Sequence, residues 1–126
     1  MRAAYVDTSC LVAIDCGSTG VPMARRPASF DRLFSANMLD AEFRATCVRE
    51  DVPSRSPLLD RLEWILPDRP LDAEITNVLA TGYVRGADAW RLACGLWLAP
   101  QPGMLTFLTV DTRQRAVARR LGFTVQ

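Results

Sequence analysis

The chain contains no lysine and no histidine; all fifteen of its basic residues are arginine. Chemistry that needs a catalytic lysine or histidine is therefore excluded. The Ser-His-Asp triad, Schiff-base formation, histidine-ligated zinc and the lysine of a phosphate-binding P-loop all go with them. Cysteine is scarce: Cys10, Cys16, Cys47 and Cys94 form no CxxC pair and match no zinc spacing. Cys10 and Cys94 lie in apolar runs and read as small buried hydrophobes. A reducing cytoplasm is the expected setting. No apolar run approaches the roughly 20 residues of a membrane helix. Asp7 interrupts the first such run, so neither a membrane span nor a secretory leader is expected. Charge of one sign is also lacking. At a formal +1 the whole protein attracts no polyanion, so nucleic-acid binding would depend on where individual arginines stand.

What is present is enough for one core. Of 126 residues 49% are apolar, and a single domain over 1–126 is expected. RAAYV at 2–6 reads as a short buried strand that stops at Asp7, and DTS supplies helix N-cap candidates for a helix over 9–14. Glycine and proline break the pattern after Asp15, and a short helix from about residue 22 is limited by Pro27. RLFSA at 32–36 reads as a second strand, and Asn37 is positioned to cap a helix over 38–50 with Leu39, Phe43, Thr46 and Cys47 on one face. Residues 52–57 form a loop, and 58–65 read as an amphipathic helix or a passage from helix to strand. LDAEITNVLATGYV is helical up to Gly82, with Leu71, Ile75, Val78 and Leu79 at helical spacing. A largely apolar helix follows from Gly86 until Pro100. MLTFLTV at 104–110 is the clearest buried strand; after Asp111 come an arginine-rich amphipathic helix, a Gly122 stop and a terminal strand FTV.

Strands alternating with helices imply an α/β fold of three layers. Its central sheet is mostly parallel, with helices on both faces. Ligands in such sheets bind at the carboxyl ends of the strands. Asp7 and Asp111 directly follow predicted strands, and Glu42 and Asp88 lie near the starts of predicted helices. Carboxylates gathered at one sheet end repel one another unless a cation sits between them, and hard oxygen ligands suit Mg²⁺ or Mn²⁺. Such an ion lowers the pKa of a bound water and neutralises charge on a phosphate. Each acid also has a plainer reading. Asp7 and Asp111 can cap the helices that follow them, Glu42 can be a solvated helix residue, and Asp88 can complement a helix dipole. Asp15, Asp40 and Glu74 read as surface charges. Thr8 and Ser9 either cap the first helix or hydrogen-bond Asp7 and its metal waters. Arg85, Arg91, Arg113 and Arg115 flank the acids and can grip phosphate in a bidentate fork, or be solvated. Trp64, Trp90 and Trp97 read as core or interface anchors.

These stretches resemble a PIN domain of the VapC type, the toxin ribonucleases of bacterial toxin–antitoxin pairs. The resemblance spans essentially the whole chain: YVDTSCLVAI, NMLDAEFRA, RGADAWRLA and FLTVDTRQRAVARRLGF each match a family segment. It places Asp7, Glu42, Asp88 and Asp111 at the family's acidic positions, with Ser9 supporting the first. It implies Mg²⁺ or Mn²⁺, endonucleolytic cleavage of RNA (tRNA among the candidates), a homodimer, and a VapB-like antitoxin that blocks the site. Two positions depart from the pattern. Arg91 stands where many relatives carry histidine, and DCGSTG stands where many carry a glutamate. Arg91 could bind phosphate or could pair with an acid and quiet the site, so a catalytically quiet, PIN-like protein-binding module is the alternative. A response-regulator receiver needs a lysine that this chain lacks. A haloacid-dehalogenase-type phosphatase needs an acid where Ser9 stands.

Overall fold

Short apolar runs separated by helical stretches are too far apart for tight hairpins, and the helix between them supplies the crossover that parallel pairing needs. The computed structural model, which describes residues 2–15 and 27–126, has that arrangement. The strands are β1 (Ala3–Val6), β2 (Arg32–Ala36), β3 (Leu62–Ile65), β4 (Leu105–Leu108) and β5 (Thr124–Val125). They lie in the order β3-β2-β1-β4-β5, and every neighbouring pair is parallel. The helices are α1 (Thr8–Asp15), α2 (Met38–Arg49), α3 (Pro57–Arg61), α4 (Asp72–Thr81), α5 (Gly86–Leu98) and α6 (Thr112–Leu121).

Alternation along the strands sends side chains into two cores, one on each face of the sheet. Ala4, Val6, Leu33 and Leu108 pack with Cys10 and Leu11 of α1 and with Leu39, Phe43 and Cys47 of α2. On the other face Tyr5, Leu105 and Phe107 pack with Val78, Leu92, Ala93, Val117 and Phe123. The Tyr5 and Phe107 rings stack at 4.5 Å between centroids. All four residues of β4 are buried, as a strand covered on both faces requires. α5 is the central helix expected from its composition. Its Gly95 lets the Phe123 ring approach, since a Cβ there would meet that ring at 3.0 Å.

The segment 58–65 is the passage from helix to strand, and the reading of it as one amphipathic helix is corrected. Ser56 Oγ accepts from Leu58 N and Leu59 N, and Pro57 opens the helix, so α3 forms. Leu62 then turns extended and begins β3 beside β2. Two further expectations are corrected. Asn37 stands at the N-cap of α2 but makes no capping bond through its side chain, because its own backbone is already helical. The strand expected to run to residue 110 stops at Leu108, and side-chain hydrogen bonds take over from the sheet there. The short helix expected from about residue 22, and the DCGSTG departure beyond Asp15, lie outside the described residues.

The strand order reverses between β1 and β4, since β2 lies to one side of β1 and β4 to the other. The crevice at their carboxyl ends is therefore where a ligand is expected. Among the described residues no helix is long and apolar enough to cross a membrane.

Candidate functional site

Asp7 is the residue at which β1 becomes α1. Its backbone N donates to Leu108 O at 2.9 Å, continuing the β1–β4 ladder by one step. Its carboxylate is buried, with 3% of the residue exposed, and its two oxygens do different work. Oδ2 accepts from Ser9 N at 3.2 Å and from the Ser9 hydroxyl, so it caps α1. Oδ1 has no hydrogen-bond partner and faces Arg91 Nε at 3.7 Å. Oδ2 of Asp7 thus caps α1, and Oδ1 is left facing Arg91.

Glu42 arrives from the first turns of α2, on the stripe that buries Leu39 and Phe43. Its side chain stays 40% exposed, because it reaches past the core edge to the crevice. Oε1 accepts from Thr8 Oγ1 at 2.8 Å, and Oε2 accepts from Arg91 Nη2. Asp88 arrives from the first turn of α5 and takes Arg91 Nη1 at 2.6 Å across i,i+3. Arg91 is itself buried, 8% exposed, and its guanidinium presents Nε, Nη1 and Nη2 to three different carboxylates. Burial, the largest single influence, pulls the Arg91 pKa down. The Glu42 hydrogen bond and the charges of Asp7 and Glu42 outweigh burial and hold it above its ordinary value. Asp88 is held above its ordinary 3.8 chiefly by burial; Arg91 opposes this, and Asp7 and Asp111 add repulsion.

Asp111 meets the cluster from the other side. It lies beyond the end of β4, exposed, and its Oδ1 caps α6 by accepting from Gln114 N at 2.9 Å. The residue that stands beside Asp7 at the strand end is Thr109, which follows the Val6–Leu108 register pair. Thr109 Oγ1 lies 3.1 Å from Asp7 Oδ2, 2.9 Å from Gln114 Oε1 and 3.1 Å from Ser9 Oγ, and accepts from Asp111 N at 3.1 Å. Val110 N donates to Ser9 Oγ at 3.2 Å. Thr109 and the fully buried Gln114 were not marked in the sequence. The signal available was the parallel register, in which the position after β4 must flank the position after β1.

The four arginines separate. Arg85 and Arg113 line a cleft of about 320 Å³ together with Asp88 and Asp111. The Arg113 guanidinium also lies 6.0 Å from the centre of the exposed Tyr83 ring. Arg115 turns inward and donates from Nη2 to Thr109 O at 2.7 Å. Arg91 is spent on the acids. Away from this region, Asp40 pairs with Arg44 and Glu74 with Arg69, as surface charges do. Trp90 and Trp97 pack against the core, and Trp64 is exposed on the edge strand β3.

The donors gathered here are hard oxygens of the kind Mg²⁺ and Mn²⁺ take. Yet among the described residues no three acidic or cysteine side chains close on a common point that a metal could occupy. Arg91 stands between Asp7, Glu42 and Asp88, so these carboxylates as placed fit a guanidinium and not a metal ion. No protein-family model matches the chain, and no curated protein or solved structure matches it either.

Proposed function

We propose that the chain is an endoribonuclease with a PIN-type acid site, acting as the toxin of a toxin–antitoxin pair. The supporting observation is the meeting of Asp7, Glu42 and Asp88 at the carboxyl end of a parallel sheet, beside an arginine-lined cleft that also holds Asp111. Arg85 and Arg113 are the phosphate forks of this reading, and the cleft between them receives the RNA backbone. Hydrolysis adds water across a P–O bond. With no histidine in the chain, the base is a carboxylate or a metal-bound hydroxide, and this reading takes a carboxylate to orient that water and accept its proton. Asp88 and Asp111 are the acids that face the cleft. Mg²⁺ or Mn²⁺, the cofactor implied by the PIN resemblance, does not fit beside Arg91 as the side chains stand. The same reading takes the cytoplasm as the setting, a homodimer as the assembly, and a VapB-like antitoxin as the inhibitor.

The capture of Arg91 by three acids favours a second reading, a catalytically quiet PIN-like module that acts through protein contacts. Induction of wild type and Asp7→Asn in a growing host, with cellular RNA ends mapped, separates the two. The nuclease reading expects growth arrest with discrete new RNA ends, reduced about 100-fold or more by Asp7→Asn. Arrest that survives the substitution, with no new ends, would sink the nuclease and favour the quiet module. Circular dichroism of both proteins checks that the fold is retained.

A further inference from the structure

Residues 82–85 join α4 to α5 beside the cleft, and their exposure alternates. Val84 is buried in the core, while Tyr83 before it is 70% exposed and Arg85 after it is exposed too. Gly82 and Arg85 are both extended, and in extended chain residues two apart share a face. Tyr83 and Arg85 therefore face solvent together. The backbone is pinned on either side of the ring. Val84 anchors it to the core, and Gly82 lies so close to α6 that a Cβ would meet the Val117 side chain at 3.0 Å. A large ring is thus held out in solvent by packed neighbours.

Two further observations tie this ring to the cleft. Arg113, which lines the cleft with Arg85, has its guanidinium 6.0 Å from the centre of the Tyr83 ring, at the outer reach of a cation–π contact. The two arginines of the lining also share it with two aspartates, Asp88 and Asp111, so the cleft offers a polyanion little net charge. RNA held there needs a contact that does not depend on charge. Stacking of a base on an aromatic face supplies one, and it accepts any base.

We infer that Tyr83 is the base-stacking platform of the cleft and that the RNA taken there is single-stranded. Arg85 and Arg113 grip the phosphates, and the Tyr83 ring takes the base of an unpaired nucleotide. In a duplex that base face is covered by its neighbours in the stack. This inference rests on the nuclease reading above and adds to it the strandedness of the substrate and a residue that selects it.

The probes are three labelled RNAs of equal length: a single strand, a duplex, and a strand of abasic nucleotides. Their anisotropy is followed across salt concentrations on the Asp7→Asn chain, which keeps the RNA intact, and on the same chain carrying Tyr83→Phe, Tyr83→Leu or Arg85→Ala. Asp111→Asn is the background if Asp7→Asn does not fold, and circular dichroism checks each protein. Tyr83→Leu should weaken the single strand about 5- to 100-fold at every salt concentration, with the logarithmic salt slope unchanged. Tyr83→Phe keeps the ring and should stay within about 3-fold of its parent. Duplex and abasic strand should bind the parent weakly and Tyr83→Leu equally well. Arg85→Ala is the contrast and should reduce the slope by about 0.7. A lowered slope in Tyr83→Leu, or an equal loss for the abasic strand, would mean that the ring only positions Arg113, and overturns the platform. Unchanged affinity in Tyr83→Leu beside weaker binding in Arg85→Ala also overturns it and leaves the cleft as the RNA site. Unchanged affinity in both removes the RNA from the cleft altogether. No RNA binding by any folded protein overturns the nuclease reading itself.

Discussion

At the scale of single residues, the cluster is a contest between burial and charge. Asp88 shows it most clearly. Its carboxyl takes a 2.6 Å bond from Arg91 and is still held above 3.8, because burial and the nearby Asp7 and Asp111 charges outweigh that bond. Folding therefore favours protonated Asp88. The stability this residue contributes is fully present below its unfolded pKa and is lost as pH rises through its higher folded value. Asp88→Asn cannot lose a proton, so its stability relative to wild type should increase as pH rises from the unfolded pKa through the higher folded one, and then level off. Urea melts of both proteins from about pH 3 to about pH 7 measure this difference. A difference that falls with pH would mean that Arg91 dominates Asp88 after all. Tyr5 lies under the same influence: burial first and Asp7 second push its phenol up, so it stays neutral. Cys94 is pushed up to about 12 by burial, which leaves its thiol protonated and inert.

At the scale of elements, the site is made of helix beginnings. α1, α5 and α6 each start at the carboxyl end of the sheet, and Asp7, Asp88 and Asp111 sit in or before their first turns. Acids are favoured there by the helix dipole as well as by capping, so local stability and site chemistry recruit the same residue type. Asp111 allows the two to be separated. Asp111→Asn keeps an oxygen that can accept from Gln114 N and should hold stability within about 0.5 kcal/mol of wild type. Asp111→Ala removes the cap and should cost about 1 kcal/mol. RNA cleavage should drop in both variants, since both lose the charge facing the cleft. Cleavage that follows stability, falling in the alanine variant alone, would reduce Asp111 to a structural cap. The far end of α6 is settled by backbone conformation. Gly122 adopts φ 105°, a left-handed value that ends the helix, and Phe123 N returns to Ala118 O at 3.1 Å.

At the scale of the whole molecule, a formal charge of +1 provides no general attraction for RNA. Affinity must then come from a few local contacts and be weakened by salt accordingly. Arg85 and Arg113 are the arginines that line the cleft. Binding of a short single-stranded RNA to Asp7→Asn protein, followed by anisotropy across salt concentrations, counts them. Each substitution, Arg85→Ala or Arg113→Ala, should reduce the logarithmic salt slope by about 0.7. An unchanged slope would place the RNA elsewhere. The all-parallel sheet adds a constraint at this scale. None of its strands can pair without a crossover, so the crevice between β1 and β4 forms only when residues far apart in sequence come together.

The sequence alone determined the α/β architecture, because apolar runs of strand length and helical periodicity are local properties. It also marked Asp7, Glu42, Asp88 and Asp111, and left 58–65 open between an amphipathic helix and a helix-to-strand passage. The exact end of β4 was not legible, since TFLTV continues to look like a strand. It stops at Leu108 because Thr109, Ser9 and Asp111 exchange side-chain bonds that no local pattern announces. The fate of Arg91 was decided only by the tertiary structure. A long arginine goes where charge is densest, and that density is assembled from Asp7, Glu42 and Asp88, with Glu42 lying 49 positions away. Composition can name the acids and the arginine. Only the packed sheet brings them within reach of one another, where burial makes their pairing strong enough to fill the site.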